Sequence, residues 1–179
     1  MKFSLAAGLM ALSGLAPLAQ AHVTLETPRA LAGSDYKAVL RVGHGCDGAA
    51  TTRLRVRIPE GVLAVKPQPK AGWTLDLTRG SYGQPQTLHG ALVKSGVREI
   101  SWSGNLPDAY YEEFVFRVYL SKALGAGQTV YFPVVQECGQ AAEQWIDTSG
   151  HQGAQGPAPG VIIEAPEPRG HGGSHDHRH

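Results

Sequence analysis

Short segments in which apolar and polar residues alternate recur along the chain, and turn-forming residues separate them. Such alternation is typical of strands with one buried face, and the 3.6-residue period of helices is almost absent. The pattern predicts strands at 23–26, 37–42, 51–58, 73–77, 99–103, 112–120, 129–136, 144–146 and 160–163. This many short strands in one domain favour an all-β fold, a two-sheet β-sandwich rather than a small barrel.

Glycine and proline mark the turns between these strands. Gly61, Gly72 and Gly127 stand where a tight turn needs positive φ, which glycine adopts without steric cost. Pro67 and Pro69 have no amide proton for a ladder, so the segment around them is expected to be extended and outside any central strand.

The first residues have the layout of a secretory signal peptide. Lys2 precedes an apolar run over 5–16 that is too short to span a bilayer, and small residues follow at 19–21. We therefore expect 1–21 to be removed, so that the mature protein begins at His22 and is periplasmic or secreted. No other apolar run approaches membrane length, so no integral membrane segment is expected after cleavage.

Composition divides the remaining chain into a domain over 22–164 and a tail over 165–179. Gly, Pro, Gln and His dominate from residue 150 onward, apart from the apolar run 161–163, which predicts one last edge strand and then disorder. Alternating histidines in an extended segment suit weak, auxiliary capture of Cu(II), Zn(II) or Ni(II). The tail histidines are His171, His175, His177 and His179.

The charge balance gives no reason to expect a nucleic-acid partner. Outside residues 1–21 the chain has 15 Lys and Arg against 15 Asp and Glu, because Lys2 is the one charge removed. The arginines at 53, 55 and 57 alternate with apolar residues, which indicates the solvated face of a strand.

The chain contains two cysteines, Cys46 and Cys138. In an oxidising compartment an isolated pair most simply forms a disulfide, and closing a loop of about 90 residues contributes roughly 4 to 5 kcal/mol in the chain-entropy model. A Cys/His copper site is the alternative, but it would need reduced thiols, which export disfavours.

A chain that begins with histidine offers the α-amine and the imidazole Nδ1 to one metal ion in a six-membered chelate. The amine has a reference pKa near 8, so its proton is lost to a metal at little cost. Nitrogen ligands in a planar arrangement suit Cu(II), which also leads the stability order of the common divalent ions. His22 can also follow the cleavage site by chance, and two nitrogens do not complete a site.

Several short motifs add to this pattern. They are His22-Val23-Thr24-Leu25, Cys46-Asp47-Gly48, Arg57-Ile58-Pro59-Glu60-Gly61, Pro69-Lys70-Ala71-Gly72-Trp73, Tyr111-Glu112-Glu113-Phe114 and Gln144-Trp145. In order and spacing they resemble the YcnI-like copper-binding family over nearly all of 22–163. The resemblance implies a β-sandwich of immunoglobulin-like or cupredoxin-like architecture with one Cu(II), held in a monohistidine brace: the N-terminal amine and imidazole, a carboxylate and a nearby tryptophan.

Carried over to this chain, the resemblance implies His22 as the brace, Glu113 as the carboxylate and Trp145 as the tryptophan beside the metal. Glu112 is the alternative carboxylate. Strand alternation places Glu112 on the same face as Phe114 and Glu113 on the opposite face. If the phenylalanine face is the core, Glu113 lies on the sheet surface, where a chain end can dock.

Two assignments stay open. Trp145 is either the tryptophan beside copper or an ordinary core aromatic, as Trp73 and Trp102 are expected to be. His44 would approach the metal if a disulfide at Cys46 held its loop against the site, and is otherwise a surface histidine.

The leading hypothesis is an exported Cu(II)-binding protein of copper homeostasis. As a metallochaperone or scavenger it would exchange copper with a membrane copper transporter or a periplasmic copper chaperone. We do not expect an enzyme, because the chain has no Ser-His-Asp order and no paired catalytic carboxylates. The alternatives are a copper-dependent oxidase of the N-terminal-histidine type and an exported adhesion or carbohydrate-binding sandwich without metal.

Overall fold

The computed structural model describes residues 22–151 and 153–165. These residues form twelve β-strands and no α-helix, which confirms the all-β prediction. The strands are β1 (Thr24–Leu25), β2 (Arg29–Leu31), β3 (Asp35–Val42), β4 (Thr51–Arg57), β5 (Val62–Pro67), β6 (Thr74–Leu88), β7 (Ala91–Leu106), β8 (Glu112–Leu120), β9 (Thr129–Tyr131), β10 (Val134–Cys138), β11 (Ala141–Trp145) and β12 (Gly160–Glu164).

Two large sheets form the sandwich. One has the strand order β1-β3-β8-β5 and the other β11-β10-β4-β7-β6. A third sheet, β2-β12-β9, contributes Val130, Val161 and Ile163 to the same core. Strand neighbours are antiparallel except β2 and β12, which are parallel.

Aromatic rings fill the space between the two large sheets. Trp102 of β7 lies 5.5 Å from Phe114 and 6.4 Å from Phe116 of β8, ring centre to ring centre. Phe116 in turn lies 5.6 Å from Phe132. Because burying a side chain of this size contributes about 1.5 to 3 kcal/mol, this contact region is a main source of the sandwich's stability. The core therefore lies on the phenylalanine face of β8.

Two predicted strands are parts of a much longer hairpin. The segment 99–103 and all but the first residue of 73–77 lie within β7 and β6, which continue to a turn at His89 and Gly90. Both turn residues have positive φ, 49° and 86°, as a two-residue hairpin of matching twist requires. His-Gly is a weaker turn signal than Asn-Gly, and the outer hairpin packs outside the main core, where Tyr82, Leu88 and Val93 form a small cluster with Leu63 and Tyr119, so the pattern did not reveal the length of the hairpin.

Proline explains two further differences from the predicted strands. The segment 129–136 is two strands, because Pro133 cannot donate to a ladder. The pattern did not predict β5, which ends at Pro67. Because β5 is an edge strand, the segment around Pro67 lies outside any central ladder, as expected. The strand β2 was also missed, because three residues carry almost no periodic signal.

Some predictions fall outside the described residues. The expected signal peptide, residues 1–21, and the tail histidines His171, His175, His177 and His179 are among them. None of the described residues belongs to a helix long and apolar enough to cross a membrane.

Candidate metal centre

His22 lies two residues before the first residue of the edge strand β1. Val23 is buried in the main core and anchors this end of the domain. Thr24 pairs with Arg41 of β3, and Leu25 pairs with Leu40. The segment after His22 is thus fixed by one buried side chain and by a ladder, so that the position of His22 is set by the fold.

Trp145 ends β11, the edge strand of the other large sheet. It pairs with Val134 of β10, faces the core and is 7% exposed. Its ring centre lies 5.4 Å from that of His22, with an angle of 66° between the planes. The fold therefore brings together the histidine and the tryptophan that the sequence motifs singled out, although 123 positions separate them in the chain.

The indole of Trp145 is held by a buried glutamine. Its Nε1 donates a hydrogen bond to Oε1 of Gln136 at 3.2 Å, and Gln136 is 1% exposed. The Nε2 of Gln136 donates to Oγ1 of Thr51 and to the carbonyl oxygen of His44, both at 2.7 Å. Both donors and the acceptor of the carboxamide are paired, as burial of a polar group requires.

A disulfide joins Cys46 to Cys138, with 5.9 Å between the Cα atoms, as the sequence predicted. It lies against the glutamine network: Sγ of Cys46 is 3.8 Å from the carbonyl oxygen of Gln136, and Sγ of Cys138 is 3.9 Å from Oγ1 of Thr51. The disulfide therefore ties the loop after β3, which includes His44, to the strand that carries Gln136.

The two candidate carboxylates of β8 lean to opposite sides. Glu112 pairs in register with Val42, which is buried, and Glu113 pairs with Arg41 on the outer face. The carboxylate of Glu112 forms an ion pair with Nζ of Lys70 at 2.7 Å and accepts the backbone N–H of Glu113 at 2.8 Å. Glu112 is thus turned toward the segment after β5, on the far side of β8 from β1.

The pKa of Glu112 reflects these contacts. Desolvation opposes its ionisation, but the hydrogen bond from Lys70, the backbone N–H of Glu113 and the charge of Lys70 together outweigh desolvation. The pKa of the Glu112 carboxyl is therefore lower than usual. The charge of the Glu112 carboxylate is therefore already balanced by the ammonium group of Lys70.

Glu113 faces the β1 side of β8 instead. Its carboxylate accepts a hydrogen bond from the hydroxyl of Tyr111, and Nε of Arg41 lies 3.8 Å away. Arg41 belongs to β3, between β8 and β1, and also pairs with Glu26 at 3.0 Å. The hydrogen bond to Glu113 raises the pKa of Tyr111 above its usual value of 10, because the bond is lost when the hydroxyl ionises.

The structure does not bring all the predicted ligands into contact. In the described part of the chain, no group of three or more His, Cys, Asp and Glu side chains could hold a metal ion. In the uncleaved chain the nitrogen of His22 is a peptide nitrogen, so the amine ligand exists only after cleavage.

Sequence reasoning missed Gln136 and Tyr111. Gln136 shares the core face of β10 with Val134 and Cys138, and a carboxamide on an otherwise apolar face was the signal that could have identified it. Tyr111 precedes β8 and belongs to the motif Tyr111-Glu112-Glu113-Phe114, but the motif gave it no role, because its contact with Glu113 depends on how the strand begins.

A comparison with solved structures shows which class of fold the chain has. A crystal structure of an uncharacterized protein from Nocardia farcinica, described as revealing an immunoglobulin-like fold, is similar to this chain with a TM-score of 0.60. The two are 22% identical, over 80% of this chain and 98% of that one, so the likeness is one of fold. The protein is thus an immunoglobulin-like β-sandwich.

The family is more specific. The model of a family described as "Domain of unknown function (DUF1775)" matches residues 22–163, and the chain belongs to this family. It is the YcnI-like family that the sequence motifs resemble. No curated protein matches the chain.

Proposed function

We propose that this protein is an exported Cu(II)-binding protein of copper homeostasis, and that cleavage after Ala21 creates its metal site at His22. The observation that carries the proposal is the ring contact between His22 and Trp145 at 5.4 Å, which joins the new N-terminus to a nearly buried indole. The disulfide adds support for export, because such bonds persist in oxidising compartments.

The amine and the imidazole Nδ1 of His22 supply the two nitrogens, and Glu113 supplies the carboxylate. Glu113 is favoured over Glu112 because Glu112 is ion-paired with Lys70 at 2.7 Å on the far side of β8. A carboxylate has two oxygens, so Glu113 can keep the hydrogen bond from Tyr111 on one and bind copper with the other. Tyr111 then holds the carboxylate in place.

Trp145 acts beside the metal rather than as a ligand. Its ring closes one side of the site, which limits the approach of water and shapes the open coordination face. A copper ion near the ring is also attracted by the π-face. Replacing the indole is expected to alter the copper spectrum more than the stoichiometry.

The other side of the site is open to a partner. The side chains of Arg41 and Glu113 are 41% and 38% exposed, so a donor or acceptor protein can reach the carboxylate. The nearby guanidinium of Arg41 also opposes binding of a cation and competes for Glu113. Both features suit ligand exchange by a metallochaperone or scavenger, with a membrane copper transporter or a periplasmic copper chaperone as the partner.

The proposal is tested by Cu(II) titration and electron paramagnetic resonance of the mature protein that begins at His22. The matched control carries one extra alanine before His22, and both proteins have serine in place of the four tail histidines. The extra residue removes the amine from the chelate and is expected to weaken the one-to-one site by about 100-fold or more. Equal binding by both proteins, or by neither, would reject the N-terminal site.

A second pair of variants decides between the carboxylates. Glu113→Gln and Glu112→Gln remove the same charge from neighbouring positions without changing side-chain size. We expect Glu113→Gln to lose about 10- to 100-fold in affinity and Glu112→Gln to bind like the wild type. The reverse result would make Glu112 the ligand.

The same proteins test the alternatives. A copper-dependent oxidase would turn over oxygen or peroxide when copper and a reductant are present, at a rate that falls when the amine is blocked. An adhesion or carbohydrate-binding sandwich would keep its ligand whether or not the amine is blocked.

A further inference from the structure

We infer that Gln136 is the positioning residue of this site: its carboxamide fixes the indole of Trp145 and so sets the surface against which His22 lies. The functional meaning of this inference rests on the proposed copper site. The network itself is a property of the metal-free fold.

The carboxamide of Gln136 can take one orientation only. The carbonyl oxygen of His44 is an acceptor, so the atom of Gln136 that faces it at 2.7 Å must be the donating Nε2. The oxygen Oε1 then faces Trp145, whose Nε1–H can only donate. A flipped amide would place two acceptors together at His44 and two donors together at Trp145. The direction of the indole N–H is thereby determined.

Volume alone does not explain a glutamine at this position. Val134 and Cys138 occupy the core-facing positions on either side of it, and an apolar residue of similar length would fill the same space. Burying a carboxamide is unfavourable unless all of its polar atoms are paired. What Gln136 adds is direction, because hydrogen bonds are directional and apolar packing is not.

A hydrogen bond such as that from Trp145 to Gln136 is not required by every buried indole in this protein. Trp102 is 0% exposed, and its Nε1 has no hydrogen-bond partner within the described ranges. The core thus accepts an indole N–H without a protein acceptor. The acceptor is supplied at the one tryptophan whose ring contacts His22.

On the side away from Trp145, the hydrogen-bond network of Gln136 lies against the disulfide between Cys46 and Cys138. Oγ1 of Thr51 accepts from Gln136 and lies against Cys138, while the backbone of Gln136 lies against Cys46. Gln136 is therefore held by β4, by the loop after β3 and by the disulfide. A residue fixed from three directions can transmit a fixed orientation to Trp145.

The test compares Gln136→Met with Gln136→Glu in the mature protein. Methionine has nearly the same length and cannot pair with the indole. Burial keeps the glutamic acid neutral, so it retains an acceptor for Trp145 and one donor for Thr51 or His44. Ile58→Val is the control, because Ile58 is buried beyond the opposite end of β4 from Thr51 and its truncation also loosens the core.

Two readouts are taken. In the metal-free protein, the indole ¹H–¹⁵N resonance of Trp145, assigned by its loss in Trp145→Phe, should move upfield and exchange faster in Gln136→Met. With Cu(II), the same variant should show altered copper hyperfine splitting and about tenfold weaker binding. Gln136→Glu should restore most of both properties, and Ile58→Val should change neither.

The outcomes separate this inference from the proposed function. If the wild type binds no Cu(II), the copper proposal fails, and the indole resonance alone decides whether Gln136 positions Trp145. If the wild type binds Cu(II) but Gln136→Met leaves the resonance and the hyperfine splitting unchanged, the inference is overturned. It is also overturned if Ile58→Val changes both as much as Gln136→Met does.

Discussion

Two tryptophans in the same sandwich are held in different ways. Trp102, at the centre, is surrounded by Phe114 and Phe116, and its N–H has no hydrogen-bond partner in the described part of the chain. Trp145, at the joint between two sheet edges, has its N–H bonded to Gln136 and its ring against His22. At the centre the ring's volume matters, whereas at the edge its direction matters as well.

This difference separates two kinds of constraint on the sequence. Apolar packing depends on area and shape, so many side chains of suitable size can serve the centre. A buried hydrogen-bond network allows fewer substitutions, because each lost partner leaves a polar group unpaired. We therefore expect changes at the centre to lower stability and changes at the edge to alter the candidate site.

The largest expected effect is that of the disulfide, which supports the polar edge. Replacing Cys46 and Cys138 by alanine removes the closure of a loop with a sequence separation of 92 and should lower the free energy of unfolding by about 4 to 5 kcal/mol. Urea denaturation followed by fluorescence measures this loss. The indole resonance of Trp145 should broaden while that of Trp102 stays sharp, and equal broadening of both would contradict the separation of the two regions.

A crossed pair of substitutions tests the comparison itself. Trp102→Phe leaves a cavity at the packed centre and should cost about 2 kcal/mol of stability without changing copper binding. Trp145→Phe leaves Oε1 of Gln136 without its donor and removes the indole beside His22, so it should alter the copper spectrum. Thermal denaturation and electron paramagnetic resonance on both variants check this. Equal spectral changes in the two would remove the distinction.

The strands that the sequence predicted correctly are those in which buried apolar residues alternate with more exposed ones, as they do at the packed centre. The bounds of β8 match the predicted 112–120, because Phe114, Phe116 and Val118 alternate strictly with less buried residues. The outer arms of β6 and β7 pack in a separate small cluster around Leu63, Tyr82 and Tyr119, and only their inner parts were predicted. Local alternation therefore identified β8, but it missed β5, in which the neighbouring residues Val62 and Leu63 are both buried and do not alternate.

The sequence predicted the candidate site only in part. His22 and Trp145 were singled out by their motifs, but their contact depends on two edge strands meeting across the sandwich, which no local pattern determines. The network of Gln136 joins β4, β10, β11 and a loop, and the disulfide fixes their arrangement. Such non-local contacts are invisible to periodicity, although the isolated core-facing glutamine could have drawn notice.

A smaller effect is expected at Tyr36, a buried polar group with one partner. Its hydroxyl donates to the carbonyl of Thr27 at 2.5 Å. Burial, with a further contribution from the charge of Glu26, raises its pKa to about 12. Because the folded pKa exceeds the unfolded value of 10, the contribution to stability is complete below pH 10 and is lost as the pH rises toward 12.

Tyr36→Phe should therefore lower stability by about 1 kcal/mol at neutral pH and reduce the loss of stability between pH 10 and 12. Urea unfolding of both proteins at pH 8, 10 and 11.5 measures the slope. An unchanged alkaline slope in Tyr36→Phe would show that other groups cause it.

The smallest effect is expected at Lys70, which connects the packed centre to the strand of the candidate carboxylates. Its Nζ lies 5.4 Å from the ring centre of Phe114 and 2.7 Å from the carboxylate of Glu112. Lys70→Met keeps an apolar stem near the ring and removes both the ion pair with Glu112 and the hydrogen bond that Nζ donates to the carbonyl oxygen of Glu113 at 3.0 Å. Because the Glu112 side chain is 36% exposed, the ion pair should contribute at most about 0.5 kcal/mol of this loss at pH 7.

The sign of its pH dependence distinguishes this ion pair from packing. The pKa of Glu112 is lowered in the folded protein, so the contribution is present above the unfolded pKa of 4.5 and is lost as the pH falls through the lower folded value. The difference in stability between the wild type and Lys70→Met should therefore shrink as the pH falls from about 7 through the folded pKa of Glu112. Lys94→Met, the same replacement at an exposed position of the hairpin, is the control. A difference between wild type and Lys70→Met that does not change with pH would mean that Lys70 acts through its contact with Phe114 and its hydrogen bond to the carbonyl oxygen of Glu113, and not through the charge of Glu112.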